Sequence, residues 1–434
     1  MQQVQQQPHR YRRIILHAGL HKTGSTSIQN NCFKYREMLL EHGIYYPVFS
    51  FRQRQLANHS DPITGAICAP PRLYGMPRRM QVETDPAPAQ EAFSSQFEQV
   101  LNEPRADTLL LSAELVCDYG ESDMQVLARR LSEKCDELQV IAFVRSPASS
   151  LESMLQQRNI NGNLMDPRSL LGVVSQRYGR LANAFPGILQ IHNFHEAVVD
   201  PDGLVGYFLR AIGVPREQFG TLDFGTANER VSLEAHRLIE AINRAFPADG
   251  VAGHGIARSF LDIKPLLVLP GQPFQLEAFR DSELYEQVAG EGRLLEQQLG
   301  FAFPASVHRQ LQPLWQGPTL MELEAAASKL ENPLFRITIA DYLEGEAAIL
   351  QPRDAATAAV LDFVAARVRA QGEAPPVLLL EQLGADYFKY AALQLERVSP
   401  EMALQLMSLA LHLRPEAEFI NERVEHYREK LAKK

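Results

Sequence analysis

Residues 14–29 read IILHAGLHKTGSTSIQ, a short apolar run followed by a glycine-containing loop and the start of an amphipathic pattern. This order predicts a β-strand, a loop and an α-helix. The first N–H groups of a helix lack acceptors within the helix and carry partial positive charge, so such a helix start binds phosphate groups. Gly24 allows close approach of the backbone, and Ser25, Thr26 and Ser27 add hydroxyl donors. The stretch therefore predicts an anion-binding loop.

Strand-like and helix-like segments alternate on either side of this loop through the first half of the chain. The strand candidates are 13–17, 44–48, 108–112, 138–144 and 187–193. Amphipathic helix patterns occupy 26–41, 92–103, 122–135 and 147–158. Alternation of this kind predicts βαβ units around a parallel sheet. We expect an α/β fold, a three-layer P-loop-type parallel sheet flanked by helices.

The second half of the sequence is mostly helical. Helices are predicted over 204–212, 233–246 and 284–299, and an all-α C-terminal region over 320–434. The end of that region, 391–431, resembles part of a tetratricopeptide-type hairpin. It holds at most one and a half repeats, whereas stable arrays need about three, which favours a local helical cap over a peptide-binding solenoid. A protein partner bound through this tail is the alternative that stays open.

Composition excludes several classes of protein. The chain has 434 residues, 45% hydrophobic and 22% charged, with a net charge of −9. This acidic balance argues against a general nucleic-acid or anionic-membrane binder. The sequence contains no apolar run of the roughly 18–20 residues that span a membrane, and the apolar stretch at 14–16 is too short for a signal peptide. Residues 1–12 are expected to form a disordered tail, and the chain to be cytoplasmic.

The four cysteines also indicate a reducing compartment. Cys32, Cys68, Cys117 and Cys135 include no CxxC pair, so a structural zinc site is not expected. A disulfide framework is not expected either at this density and chain length, and a reducing compartment fits better.

The loop differs from a Walker A motif, GxxxxGK[ST]. Gly19 and Gly24 have the Walker separation, but Ser25 stands where the lysine belongs, and Lys22 precedes the second glycine. This displacement disfavours an ordinary ATPase or GTPase.

HKTGSTSIQ, residues 21–29, resembles the 5′-phosphosulfate loop of sulfotransferases that use 3′-phosphoadenosine 5′-phosphosulfate (PAPS). The similarity is greatest to the bacterial and carbohydrate-type members. It implies PAPS as co-substrate, adenosine 3′,5′-bisphosphate as product and no metal. It also implies that Lys22 stabilises the charge that develops during transfer. The 5′-phosphate would be held by Thr23, Gly24, Ser25, Thr26 and Ser27.

A second motif lies at VIAFVRSP, residues 140–147, where a strand pattern ends in Arg145 and Ser153 follows eight residues later. Ser146 and Pro147 read as the N-cap and first residue of a helix. Arginine offers a rigid fork of donors to phosphate. The resemblance implies that Arg145 and Ser153 bind the 3′-phosphate. It covers about 13–303, which predicts a sulfotransferase-like domain over 13–305.

The acceptor hydroxyl needs a base. Ligands of parallel sheets lie outside the carboxyl ends of the strands, and the strand at 108–112 runs into Glu114, the first candidate. The alternative for Glu114 is a cap or an ion-pair partner. His59 is the second candidate. His17 is expected to be structural, and His21 to lie where it could contact the sulfonate.

The segment 50–90 interrupts the alternation. It is rich in proline and carries Arg52, Arg54, Arg72, Arg78 and Arg79. A long basic insertion is either a lid over an anionic ligand or a solvated loop.

Together these patterns predict a PAPS-dependent sulfotransferase whose acceptor is a carbohydrate or a related alcohol. Two alternatives stay open. One is a P-loop kinase or nucleotide hydrolase that uses ATP and Mg²⁺. The other is a catalytically degenerate scaffold that still binds the nucleotide.

Overall fold

The computed structural model describes residues 10–51, 53–68, 87–225, 231–246, 261–274, 282–304, 315, 317–372, 385, 389, 392–393, 396 and 400–432. The chain divides into two units. The first comprises Met1–Leu151, Leu170–Asn228 and Ala278–Ser306, and the second Glu152–Ser169, Glu229–Glu277 and Val307–Lys434.

The first unit is built on a five-stranded parallel sheet with the order β2-β5-β1-β6-β7. Its strands are β1 (Tyr11–His17), β2 (Ile44–Tyr45), β5 (Thr108–Ser112), β6 (Cys135–Val144) and β7 (Leu189–Asn193). A separate antiparallel pair is formed by β3 (Phe49–Phe51) and β4 (Arg54–Leu56). In the register, His17 of β1 aligns with Ser112 of β5 and with Ile141 of β6.

Both faces of the sheet are buried, as expected for a parallel sheet. Alternate residues of β1 enter different cores: Ile14 and Leu16 pack on one face and Ile15 on the other. Helices of the first face are α3 (Ser60–Ile67), α4 (Ala87–Asn102), α5 (Glu121–Ser132), α7 (Val173–Ala184) and α12 (Ser282–Leu299). Helices of the second face are α1 (Ser25–Lys34), α2 (Arg36–Glu41), α8 (Phe194–Val199), α9 (Gly203–Ala211) and α10 (Arg216–Phe219).

The second unit is helical in its described residues. It contains α11 (Leu233–Ala245), α13 (Gly317–Ser328), α14 (Pro333–Leu350), α15 (Ala355–Gly372), α16 (Pro400–Leu413) and α17 (Glu418–Ala432). Helix α6 (Pro147–Ile160) begins in the first unit, and short 3-10 turns occur at Glu114–Asp118, Pro167–Leu170 and Leu261–Leu266. Helices α11 and α13–α15 share one core with Trp315, while α16 and α17 pack on each other around Met407 and Tyr427. The predicted fold class, a three-layer α/β sheet followed by an all-α region, is confirmed.

Three differences between the predicted and the observed elements have a physical reason. The helix predicted over 26–41 is two helices, because Tyr35 leaves helical angles (φ −105°, ψ 25°) and its hydroxyl donates to the Asp223 carbonyl. The strand predicted over 44–48 stops at Tyr45, since Pro47 has no N–H for a ladder. Cys135, predicted at the end of a helix, opens β6 and pairs with Tyr11. Because residues 136–137 are polar, the sequence pattern does not show that the strand begins as early as Cys135.

The domain boundary predicted at 305 stays a prediction. The observed grouping places 152–169 and 229–277 in the second unit rather than with the sheet. Residues 1–9, Arg52 and 69–86, the last holding Arg72, Arg78 and Arg79 of the predicted basic insertion, lie outside the described residues. Of the described helices, none is both long and apolar enough to cross a membrane. All four cysteines are buried and none of them forms a disulfide.

Candidate active site

The loop that joins β1 to α1 is shaped by three residues with left-handed backbone angles. The φ values are 90° at Gly19, 64° at Lys22 and 74° at Gly24. The loop is attached to the end of β6, because the Ala18 N–H donates to the Ile141 carbonyl and the Leu20 N–H to the Phe143 carbonyl. The sequence therefore turns sharply at the carboxyl end of the sheet.

Both glycines also permit close contacts. A Cβ atom on Gly24 would lie 2.2 Å from Leu204 Cδ2, and one on Gly19 would lie 3.3 Å from the Cα and carbonyl oxygen of Glu114. Gly19 thus allows the loop to pack against the end of β5, while Gly24 allows α1 to begin against α9.

The N-terminus of α1 is open. Its N-cap residue is Gly24, which has no side chain, so no side-chain hydrogen bond from the N-cap residue closes the helix start. Ser25, the first residue of α1, is 2% exposed, and its Oγ has no hydrogen-bond partner within the described part of the chain. A buried hydroxyl without a partner is costly. Ser25 and the first-turn N–H groups are therefore donors suited to an anion.

The other hydroxyls of the loop differ in their surroundings. Thr23 is fully buried and donates to the Leu20 carbonyl at 2.5 Å, which stabilises the turn. Thr26 is exposed and Ser27 half-buried. Of the predicted phosphate-loop hydroxyls, Ser25 is thus the one that is buried without a hydrogen-bond partner among the described residues.

Arg145 connects the second motif to the loop. Its Nη1 donates to the Lys22 carbonyl at 3.1 Å and its Nε to Ser149 Oγ at 2.7 Å. The guanidinium lies 5.2 Å from the centre of the Phe194 ring, and the residue is 6% exposed. Burial lowers the pKa of Lys22, an effect that Glu114 opposes and Arg145 increases. Two cationic side chains therefore stand beside the open end of α1.

Helix α6 begins as predicted. Ser146 Oγ accepts from the Ser149 N–H at 3.4 Å, and Pro147 is the first helical residue. Ser149 was not predicted; it lies on the helix one turn before the predicted Ser153. Ser153 itself is half-buried. Ser149 could have been predicted as a partner of Arg145, because it lies in the first turn of α6, four residues after Arg145.

The first candidate base lies near the loop. Glu114 opens the 3-10 turn that follows β5, its side chain is 25% exposed, and its Oε2 is 3.9 Å from His21 Nδ1. The structure thus brings together Lys22, His21, Glu114 and Arg145 at the carboxyl ends of β1, β5 and β6.

His59 is placed differently. It is fully buried, its Nδ1 accepts from the Ser112 N–H at 3.1 Å, and its Nε2 donates to the Pro47 carbonyl at 3.0 Å. Burial lowers its pKa to about 3. Both ring nitrogens of His59 form hydrogen bonds inside the core, so His59 is not placed to act as the base.

His17 lies in the core at the end of β1, as predicted. Its Nδ1 is 2.8 Å from Ser112 Oγ, and its ring packs on Phe143 and Phe208. Burial lowers its pKa to about 3, so the ring is neutral.

Two further residues complete the site and were not predicted. Asp118, at the end of the 3-10 turn, has its Oδ2 2.7 Å from His21 Nε2. Arg177 of α7 donates from Nε to Asp118 Oδ1 at 2.7 Å. Neither residue belongs to a sequence motif, because the 3-10 turn and α7 are far apart in the sequence and come together only in the folded chain.

Metal-capable side chains cluster once among the described residues. Ligand atoms of His21, Cys117 and Asp118 lie within 4.8 Å of one another. Asp118 already binds Arg177 and His21, and Cys117 Sγ donates to the Glu114 carbonyl. These hydrogen bonds and ion pairs explain why the three side chains lie close together. That the site holds no metal stays a prediction.

Chemically, this arrangement offers donors for a phosphate or sulfate group, two cations and a carboxylate within one edge of the sheet. Such a set can hold an anionic group, neutralise a leaving oxygen and accept a proton.

No protein-family model matches the chain, and no curated protein matches it. Among solved structures, a sulfotransferase from Alicyclobacillus acidocaldarius is similar with 14% sequence identity and a TM-score of 0.34. The alignment covers 68% of this chain and 97% of that one. At this similarity, any functional assignment rests on the residues of the site.

Proposed function

We propose that this protein transfers the sulfuryl group of PAPS to a hydroxyl acceptor. The observation that carries the proposal is Ser25: its Oγ is buried without a partner among the described residues, at an uncapped helix start beside Lys22 and Arg145. Anions bind at such helix starts. The loop sequence, with its lysine before the second glycine, favours a phosphosulfate over an ATP γ-phosphate.

The nucleotide is assigned to two groups of donors. The N–H groups of residues 23–27 and the hydroxyls of Ser25, Thr26 and Ser27 hold the 5′-phosphate. Arg145, whose Nε donates to Ser149 Oγ and whose Nη1 donates to the Lys22 carbonyl, is assigned to the 3′-phosphate. Two nitrogens of an arginine fork suit the oxygens of a phosphate.

The transfer then needs alignment and charge neutralisation. The acceptor oxygen forms a bond to sulfur while the bond from sulfur to the 5′-phosphate oxygen breaks. That oxygen keeps the electron pair, Lys22 neutralises it, and adenosine 3′,5′-bisphosphate leaves. Glu114 takes the hydroxyl proton. No metal takes part in this scheme.

The acceptor class is a carbohydrate or a related alcohol. Support comes from the similarity of HKTGSTSIQ to the carbohydrate-type loops.

The experiment measures transfer of radiolabelled sulfate from PAPS to a panel of monosaccharides, methyl glycosides and simple alcohols. We expect Glu114→Gln and Lys22→Ala each to lower turnover by about 10²- to 10⁴-fold. Glu91→Gln, an exposed residue of α4, is the matched control and should retain wild-type turnover.

Other outcomes separate the alternatives. A chain that binds adenosine 3′,5′-bisphosphate but sulfates no acceptor would be a scaffold. Hydrolysis or transfer that requires ATP and Mg²⁺ would make it a kinase or hydrolase. Full turnover in Glu114→Gln would remove Glu114 as the base while leaving the sulfotransferase assignment intact.

A further inference from the structure

His21 lies between two carboxylates. Its Nε2 is 2.7 Å from Asp118 Oδ2, and its Nδ1 faces Glu114 Oε2 at 3.9 Å. The side chain of His21 is 19% exposed, so solvent screens these contacts only in part. The imidazole therefore connects the candidate base to a second acid that the proposed mechanism does not use.

The far end of this connection is anchored on a helix. Arg177 of α7 holds Asp118 through Nε to Oδ1 at 2.7 Å and Nη2 to Oδ2 at 3.4 Å. Positive and negative groups therefore alternate from Arg177 through Asp118 and His21 to Glu114. We refer to these four residues as the charge chain.

The protonation state of His21 follows from every group that faces it. Burial opposes its charged form, but Cys117 and Asp118 of the 3-10 turn outweigh burial and raise its pKa to about 10. Glu114 adds a second carboxylate, while Lys22 beside it and Arg177 behind Asp118 are the cations of the neighbourhood. At neutral pH both ring nitrogens of His21 are thus donors.

We propose that His21, fixed by Asp118 and Arg177, is a positioning residue that keeps the Glu114 carboxylate directed at the acceptor hydroxyl. This inference rests on the proposed function. The positively charged imidazole, 3.9 Å from Glu114 Oε2, attracts that oxygen and leaves Oε1 for the acceptor hydroxyl.

A metal site is the competing interpretation of the same residues. His21, Cys117 and Asp118 could supply three ligands. Arg177 contacts both oxygens of Asp118, however, and a cation would have to displace it. The contacts therefore favour the charge chain.

The test uses two substitutions of the full-length chain that remove different halves of the imidazole. His21→Gln can place an amide near the Nε2 position and lacks a donor at Nδ1. His21→Asn can place an amide near Nδ1 and lacks the contact with Asp118. His412→Gln, an exposed residue of α16, controls for loss of a histidine.

Turnover is measured from pH 5 to 10 with the panel alcohol that the wild type sulfates fastest. We expect His21→Gln to lower kcat about tenfold or more with KM for PAPS unchanged. The loss of kcat in His21→Gln should become smaller as the pH rises toward 10, because the wild-type imidazole itself loses its proton there. His21→Asn should recover part of kcat. In a Glu114→Gln background, His21→Gln should have no further effect, since residues that act through one group are not additive.

Each failure has its own signature. If the wild type sulfates the panel and His21→Gln keeps kcat and the pH profile, the role of His21 is wrong and the proposed function stands. If the wild type binds adenosine 3′,5′-bisphosphate but transfers nothing, the proposed function falls and the role of His21 with it. Tight Zn²⁺ binding by the wild type that Cys117→Ser abolishes would replace the charge chain with a metal site.

Discussion

The carbonyl oxygen of Lys22 accepts a 3.1 Å hydrogen bond from Nη1 of Arg145, a residue 123 positions away in the sequence. The bond joins the loop after β1 to the end of β6, two neighbouring strands. It also holds Lys22 in its left-handed conformation, which a side chain adopts only at a cost. The two sequence motifs therefore form one structural element before any ligand binds.

Gly24→Ala should strongly destabilise the first unit. The new Cβ would lie 2.2 Å from Leu204 Cδ2, in a backbone conformation with φ of 74°. We expect the free energy of unfolding to fall by about 2–4 kcal/mol, from left-handed strain and overpacking together. Gly43→Ala is the control, because Gly43 has φ of 72° and no atom within 4 Å of the added Cβ. Urea unfolding should show a loss of only about 1 kcal/mol for Gly43→Ala. Equal losses would mean that Leu204 does not pack on Gly24.

His59 should matter for stability and not for nucleotide binding. His59→Gln leaves the Ser112 N–H and the Pro47 carbonyl poorly paired, at a cost of about 1–3 kcal/mol. The folded His59 has a pKa of about 3, so only the unfolded chain binds this proton between pH 6.5 and 3. The free energy of unfolding therefore falls on acidification, and His59→Gln should reduce that slope. A large loss of affinity for adenosine 3′,5′-bisphosphate in the folded variant would contradict this and make His59 a candidate site residue again.

His21 should act on stability in the opposite pH range. Its folded pKa, raised to about 10, lies above the unfolded value of 6.5. The stabilisation from its charged form is complete below pH 6.5 and is lost as pH rises toward 10. Thermal unfolding should show a larger Tm difference between wild type and His21→Gln at pH 6 than at pH 10. A difference that is constant with pH would contradict a protonated His21.

The four cysteines should be unreactive in the native protein. All are buried and free, and burial raises the pKa of Cys32 to about 12. Because the thiolate is the reactive form, an aromatic disulfide reagent should label none of them quickly at pH 8. Denaturation should expose four thiols per chain. Rapid native labelling, or fewer than four thiols after denaturation without reductant, would contradict the buried free state.

Patterns in the sequence were sufficient for the sheet and its loop. Apolar runs marked β1, β5 and β6, and the glycines of the loop marked the turn at Gly24. The remaining errors come from side chains that act over distance. Tyr35 breaks a helix through a bond to Asp223, and Cys135 joins a strand because Tyr11 lies beside it.

Part of the candidate site could be predicted from the order of strands along the chain. Lys22, Glu114 and Arg145 follow strands whose carboxyl ends meet, and the order of elements places them together. Asp118 and Arg177 come from a turn and a helix that meet only when the fold is complete. His59 resembles a loop histidine in the sequence, but Pro47 and Ser112 enclose it.

The most direct measurement is calorimetric binding of adenosine 3′,5′-bisphosphate, AMP, and ATP with Mg²⁺ to the wild type, Arg145→Ala and Arg12→Ala. Arg12 is an exposed residue of β1 and serves as the control. Our account predicts that the bisphosphate binds at least about tenfold more tightly than AMP, a difference of about 1.4 kcal/mol. Arg145→Ala should abolish that difference, and Arg12→Ala should keep it. Preference for ATP with Mg²⁺, or an undiminished preference for the bisphosphate in Arg145→Ala, would contradict the account.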